Sequence, residues 1–63
     1  MIKQEYFGEQ VELVDIDNKA WRGRVSVITT AADSESGENE IAIERNESLV
    51  LFKESEIKNI RLI

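Results

Sequence analysis

The chain has 63 residues, carries a net charge of -5 at pH 7, and contains neither Cys nor His. That length describes one small domain, near the size at which a single core only just offsets the entropy of ordering the backbone. The missing residue types exclude disulfides, a Cys/His zinc site, a thiol nucleophile and an imidazole base, and the excess of acids opposes nonspecific attraction to phosphate backbones or anionic lipid. The longest uninterrupted apolar run is Leu49-Val50-Leu51-Phe52. It is too short for a signal-peptide core or a bilayer span, so the chain is expected to be soluble and cytoplasmic.

Residues 1 to 8 place Ile2 and Tyr6 at helical spacing, but the segment is too short for a stable isolated helix and Gly8 ends it. It reads as a lead-in. From Gln10 the pattern changes to a strand. Val11, Leu13 and Asp15 share one face, and Glu12, Val14 and Ile16 share the other. Apolar residues on both faces fit a strand bent between two sheets, a fully buried strand, or a bulge. Asp17-Asn18-Lys19 is the break, since Asp and Asn tolerate positive φ and bond their own backbone as tight turns require.

The second strand puts Trp21, Gly23, Val25 and Val27 on one side and Arg22, Arg24, Ser26 and Ile28 on the other. Trp21 and the two arginines therefore cannot form one patch on a regular strand. Gly23 lets a neighbouring backbone come close or lets the strand bend sharply. Residues 30 to 39 are small, polar and acidic, and read as a mobile loop. The third strand is Glu40 to Arg45, with Ile41 and Ile43 inward, followed by a turn at Asn46-Glu47-Ser48. The fourth is Leu49 to Lys53. After Glu54-Ser55-Glu56, the segment from Ile57 to Ile63 has Ile57 and Ile60 three apart, as on a helix, but Ile60 and Leu62 two apart, as on a strand. A short turn followed by a strand is the favoured reading over a C-terminal helix.

Five short strands with a tight first turn and an acidic last corner suggest an all-β fold, a small and strongly bent barrel formed by one domain over residues 1 to 63. The stretch VELVDIDNKAWRGRV, residues 11 to 25, and the stretch LVLFKESEIKNI, residues 49 to 60, resemble the two parts of the signature of Sm-like (LSM) domains. More particularly, the chain is similar to short stand-alone bacterial and phage LSM-type proteins with an acidic middle loop. The resemblance implies a five-stranded Sm-like barrel of the SH3-like kind. It also implies closed assemblies in which the fourth strand of one subunit joins the fifth of the next. In RNA-binding members an Asp and an Asn organise a nucleotide pocket with a stacking residue. Here Thr29 stands where that Asp would be, Asp33 is close to the Asn, and Lys53 and Glu54 occupy the usual Arg-Gly. Asp15 replaces an apolar residue of the first strand and, facing inward, would need a partner among Arg24, Lys53 and Arg61.

Asp33, Glu35, Glu38 and Glu40 have no calcium-loop spacing and read as a solvated loop. Glu54 and Glu56 read as turn residues rather than an acid and base pair, so no enzyme activity and no cofactor are expected. The expected core is Val11, Leu13, Trp21, Val25, Val27, Ile41, Ile43, Leu51, Ile57 and Ile60. The favoured function is a non-catalytic interaction module that binds protein or itself, with Val50, Phe52, Lys58 and Ile60 as candidate interface residues. The alternative is an RNA-binding protein of RNA metabolism, using Arg22, Arg24 and Lys53 on phosphates.

Overall fold

Two strands, β1 (Gln10–Asp15) and β2 (Ala20–Thr29), form an antiparallel hairpin around the polar break. Asn18 adopts a φ of 64°, the left-handed conformation that Asn tolerates, and the turn closes with Asp15 N–H donating to Lys19 O at 2.9 Å. The computed structural model describes residues 1–63. Its remaining strands are β3 (Glu40–Arg45), β4 (Ser48–Lys53) and β5 (Ile57–Leu62), with short 3-10 turns at Gln4–Tyr6 and Glu54–Glu56. All five make one antiparallel sheet in the order β4-β3-β2-β1-β5. The sheet is not closed, because β4 and β5 each pair on one side only. No helix is long and apolar enough to cross a membrane.

The ten-residue β2 serves two partners: residues 20 to 24 pair with β1, and residues 24 to 29 pair with β3. Gly23 sits at this changeover. A Cβ there would lie 2.5 Å from Glu44 O and closer still to Ile43 Cγ2, so only Gly lets β3 approach.

Two bulges decide which side chains point inward. Opposite β3, Val25 pairs with Ile43 and Val27 with Ala42, so Ser26 is an extra residue. One extra residue inverts the alternation beyond it. Val27, expected in the core, is therefore turned outward and 44% exposed, while Ile28 turns in to pack against the core. The second bulge lies where β5 meets β1, with Asn59 opposite Val14 and Ile57 opposite Asp15. It brings Ile57 and Ile60, three apart, onto one buried face, so the helix-like spacing belongs to a strand.

The β3–β4 connection carries a further correction. Arg45 pairs with Ser48, leaving a two-residue turn of Asn46 and Glu47 with φ of 49° and 66°. A turn one residue shorter than Asn46-Glu47-Ser48 reverses the faces of the following strand. Phe52 pairs with Ile41 and Val50 with Ile43, so Val50 and Phe52 point inward and Leu49 and Leu51 point outward. Leu51, expected in the core, is 65% exposed, whereas Phe52, expected at an interface, is 6% exposed.

The core is Tyr6, Val11, Leu13, Val25, Ile41, Ile43, Phe52, Ile57 and Ile60, with Ile2, Trp21, Ile28 and Val50 packed against it. Ile60 is thus core and not a free interface residue, and Val50 is half-buried. The lead-in is more than that. Its 3-10 turn inserts Tyr6 into the core, and Gly8 N–H donates to Val25 O while Val25 N–H donates to Glu9 O, both at 2.9 Å.

Candidate interaction surface

The outer side of β2, β3 and β4 is built from three cross-strand rows: Arg24–Glu44–Leu49, Val27–Ala42–Leu51 and Thr29–Glu40–Lys53. The middle row is wholly apolar. Ala42 is covered to 4% exposure between Val27 and Leu51, while Leu49 at 53% and Leu51 at 65% stand free. The outer rows carry both signs of charge, and Leu49 ends one of them on the β4 side. The result is a small apolar ridge beside the unpaired edge of β4, apolar surface and backbone groups that gain by being covered.

The three candidate phosphate contacts are differently placed. Arg22 Nε donates to Glu12 Oε2 at 3.0 Å, and Arg61 Nη2 donates to Glu12 Oε1 at 2.9 Å, so Glu12 bridges β2 and β5 across β1. These two guanidinium groups hold the Glu12 carboxyl below its ordinary 4.5. Arg24 Nη2 donates to Glu44 Oε1 at 2.8 Å. Both arginines are therefore cross-strand ion-pair partners. Lys53 lies on the outer face with Glu40 between it and Thr29, so an acid stands between the two positions that the nucleotide-pocket resemblance singles out. Lys58 is exposed, its Nζ donating to Asn18 Oδ1 at 2.5 Å.

Asp15 has none of the partners expected for it. Its Oδ1 accepts from the Asp17 and Lys19 amides, and its Oδ2 accepts from Trp21 Nε1, all at 2.9 Å. The indole bond first, then the amides, lowers its pKa from 3.8. Trp21 itself packs edge-on against Phe52 with ring centroids 5.4 Å apart. Lys19 Nζ lies 4.3 Å and Arg45 Cζ 5.2 Å from its ring centre, contacts that sequence periodicity did not signal. Two cations over the ring leave little of it for a base to stack on.

Several acidic residues hold the fold together through hydrogen bonds. Glu38 accepts from Ser55 N–H at 2.9 Å and Ser55 Oγ at 3.1 Å, tying the 30–39 loop to the second 3-10 turn and lowering the Glu38 pKa. Glu40 accepts from Ser36 Oγ at 2.6 Å and Asp33 from Thr30 Oγ1 at 3.3 Å. Glu54 accepts from Ile2 N–H at 3.0 Å and from Asn39 Nδ2 at 3.3 Å, and the former bond foremost lowers its pKa. Glu56 accepts from Lys53 N–H at 2.8 Å. Each of these carboxylates thus has its own structural bond, and no three His, Cys, Asp or Glu side chains converge as metal ligands would.

The surface residues missed in the sequence are Leu49, Leu51 and Val27. The signal for the leucines was the length of the β3–β4 turn, since a two-residue Asn-Glu turn fixes Leu49 and Leu51 on the face opposite Ile41 and Ile43. Comparison of the chain with protein-family models, with curated proteins and with solved structures gave no match.

Proposed function

We propose that the chain is a non-catalytic, Sm-like small-barrel module that binds protein, its own copies included, through β4 and the apolar ridge beside it. The observation that carries this reading is the pairing of an unpaired strand edge with exposed Leu49 and Leu51 on that same strand. Backbone groups along an edge and apolar side chains next to it are what one polypeptide offers another. The Sm-like part is supported by the long β2, which passes from β1 to β3 at Gly23 where only Gly lets β3 approach, and by the Glu54–Glu56 turn leading to buried Ile57 and Ile60, which agree with the two signature-like stretches.

RNA binding is the weaker reading. Arg22 and Arg24 are paired with carboxylates, Lys53 faces Glu40, and the net charge is -5. Size-exclusion chromatography with light scattering tests the favoured reading: a mass above 7.2 kDa that rises with concentration is expected, and 7.2 kDa throughout would remove self-association. Fluorescence anisotropy with oligo-uridine tests the other. No submicromolar binding is expected at physiological salt. If such binding appears, the protein-binding reading gives way, and replacing Lys53, Arg22 or Arg24 with Glu should then flatten its salt dependence.

A further inference from the structure

Resting on the self-association reading, we propose that two copies form a two-fold dimer by antiparallel pairing of β4 with β4, in the register that sets Val50 opposite Val50. The hydrogen-bond phase of the edge selects this arrangement. Glu54 N–H donates to Asn39 O at 2.9 Å, and Arg45 and Ser48 close the two-residue turn, so both ends of the β3–β4 ladder are hydrogen-bonded pairs. Bonded and non-bonded pairs alternate along an antiparallel ladder. Ser48, Val50 and Phe52 therefore turn their backbone groups toward β3, and Leu49, Leu51 and Lys53 turn theirs outward. The Lys53 N–H is already taken by Glu56 Oε1 at 2.8 Å. Leu49 and Leu51 alone keep both N–H and C=O free along the edge.

Directly opposed residues share a face, so a two-fold axis perpendicular to the sheet must pass through one residue of β4 and not between two. Three registers are close enough to consider. With Leu51 opposite Leu51, Leu49 meets Lys53, whose N–H is occupied, and Ser48 meets Glu54. With Leu49 opposite Leu49, Leu51 meets Glu47, which lies in the turn beyond the end of β4, so its free backbone groups face no strand. With Val50 opposite Val50, Leu49 of each copy meets Leu51 of the other, and all four free N–H and all four free C=O groups of the leucines find partners. The same register brings Glu47 of each copy alongside Lys53 of the other. Opposite charges close both ends of the pairing, and the exposed leucines of both copies line up on one outer face continuous with Val27 and Ala42. The interface is the same patch on both subunits, which closes the assembly at two.

A chain without Cys allows the register to be read by cross-linking. A Val50 pair across the axis is a non-bonded pair with Cα atoms about 4.5 Å apart, within disulfide range. Val50→Cys should oxidise to a covalent dimer. Leu51→Cys, whose counterparts lie roughly 8 Å apart along the diagonal, should not, although its side chain is the more exposed. Light scattering of the unmodified chain should approach twice 7.2 kDa. Glu47→Lys should weaken the dimer about tenfold by facing Lys53 with a like charge, and adding Lys53→Glu should restore it. Cross-linking of Leu51→Cys in preference to Val50→Cys, or of neither in a chain of raised mass, overturns this register while leaving self-association standing. A mass of 7.2 kDa at every concentration overturns both.

Discussion

At Asp15, a charged residue on the inward face of a strand is accommodated chiefly by hydrogen bonds, because three N–H donors converge on its two oxygens and the Lys19 charge adds a smaller attraction. One of them is the indole of Trp21, the chain's only Trp. Asp15→Asn keeps an acceptor for the turn amides but can aim an amide N–H at the indole N–H. The expected outcome is a lower thermal midpoint with a changed Trp21 emission maximum, and an unchanged spectrum would separate Trp21 from Asp15. Gly23 is the opposite case, a residue defined by what it lacks. Gly23→Ala pushes a methyl into Ile43 and the Glu44 carbonyl, and should cost about 1–3 kcal/mol by the usual scale of overpacking. Glu47 holds a φ of 66° with no glycine to relieve it. Glu47→Gly should stabilise the monomer by roughly 0.5–1 kcal/mol, measured by urea denaturation at dilution, since the left-handed conformation costs less without a Cβ.

For the strands, alternation in the sequence located all five and the burial of Val11, Leu13, Val25, Ile41 and Ile43, because each lies where the period of two is uninterrupted. What it could not supply was the inversion at a bulge. Val25 and Ile28, like Ile57 and Ile60, are inward residues three apart, and in both cases one unpaired residue between them accounts for the spacing. Of the interface candidates on β4, Phe52 proves to be core and Val50 half-buried, for a related reason. Leu49, Val50, Leu51 and Phe52 are all apolar, so only the turn length says which two face water, and Asn46-Glu47 gives no glycine to mark it. The consequence for mutagenesis is a reversal. Phe52→Glu should unfold the chain, as a carboxylate forced into the core, while Leu51→Glu should leave the strand content of the circular dichroism spectrum intact.

Across the whole molecule, four carboxylates are held below their ordinary pKa by the bonds they accept, and three of them, Glu12, Glu38 and Glu54, join segments distant in sequence. Glu12 links β1 to β2 and β5 through Arg22 and Arg61, and Asp15 holds the first turn and Trp21. Glu38 ties the long loop to the second 3-10 turn through Ser55, and Glu54 fastens the N-terminal segment through the Ile2 amide. A folded-state pKa below the unfolded one means that the unfolded chain binds protons first. Their stabilisation is therefore complete above the ordinary values of 4.5 for Glu and 3.8 for Asp, and is lost as pH falls through the lowered folded values. Net charge acts in the other direction, because self-repulsion from -5 at pH 7 vanishes near the pI of 4.6. The urea midpoint, followed by Trp21 fluorescence in dilute protein, should thus hold steady or rise from about pH 7 to 5 and fall steeply below about pH 4. Glu12→Gln should shallow the acid limb by removing one of the four linked protons. A midpoint that stays constant down to about pH 3 would show that these bonds do not distinguish the folded chain from the unfolded one.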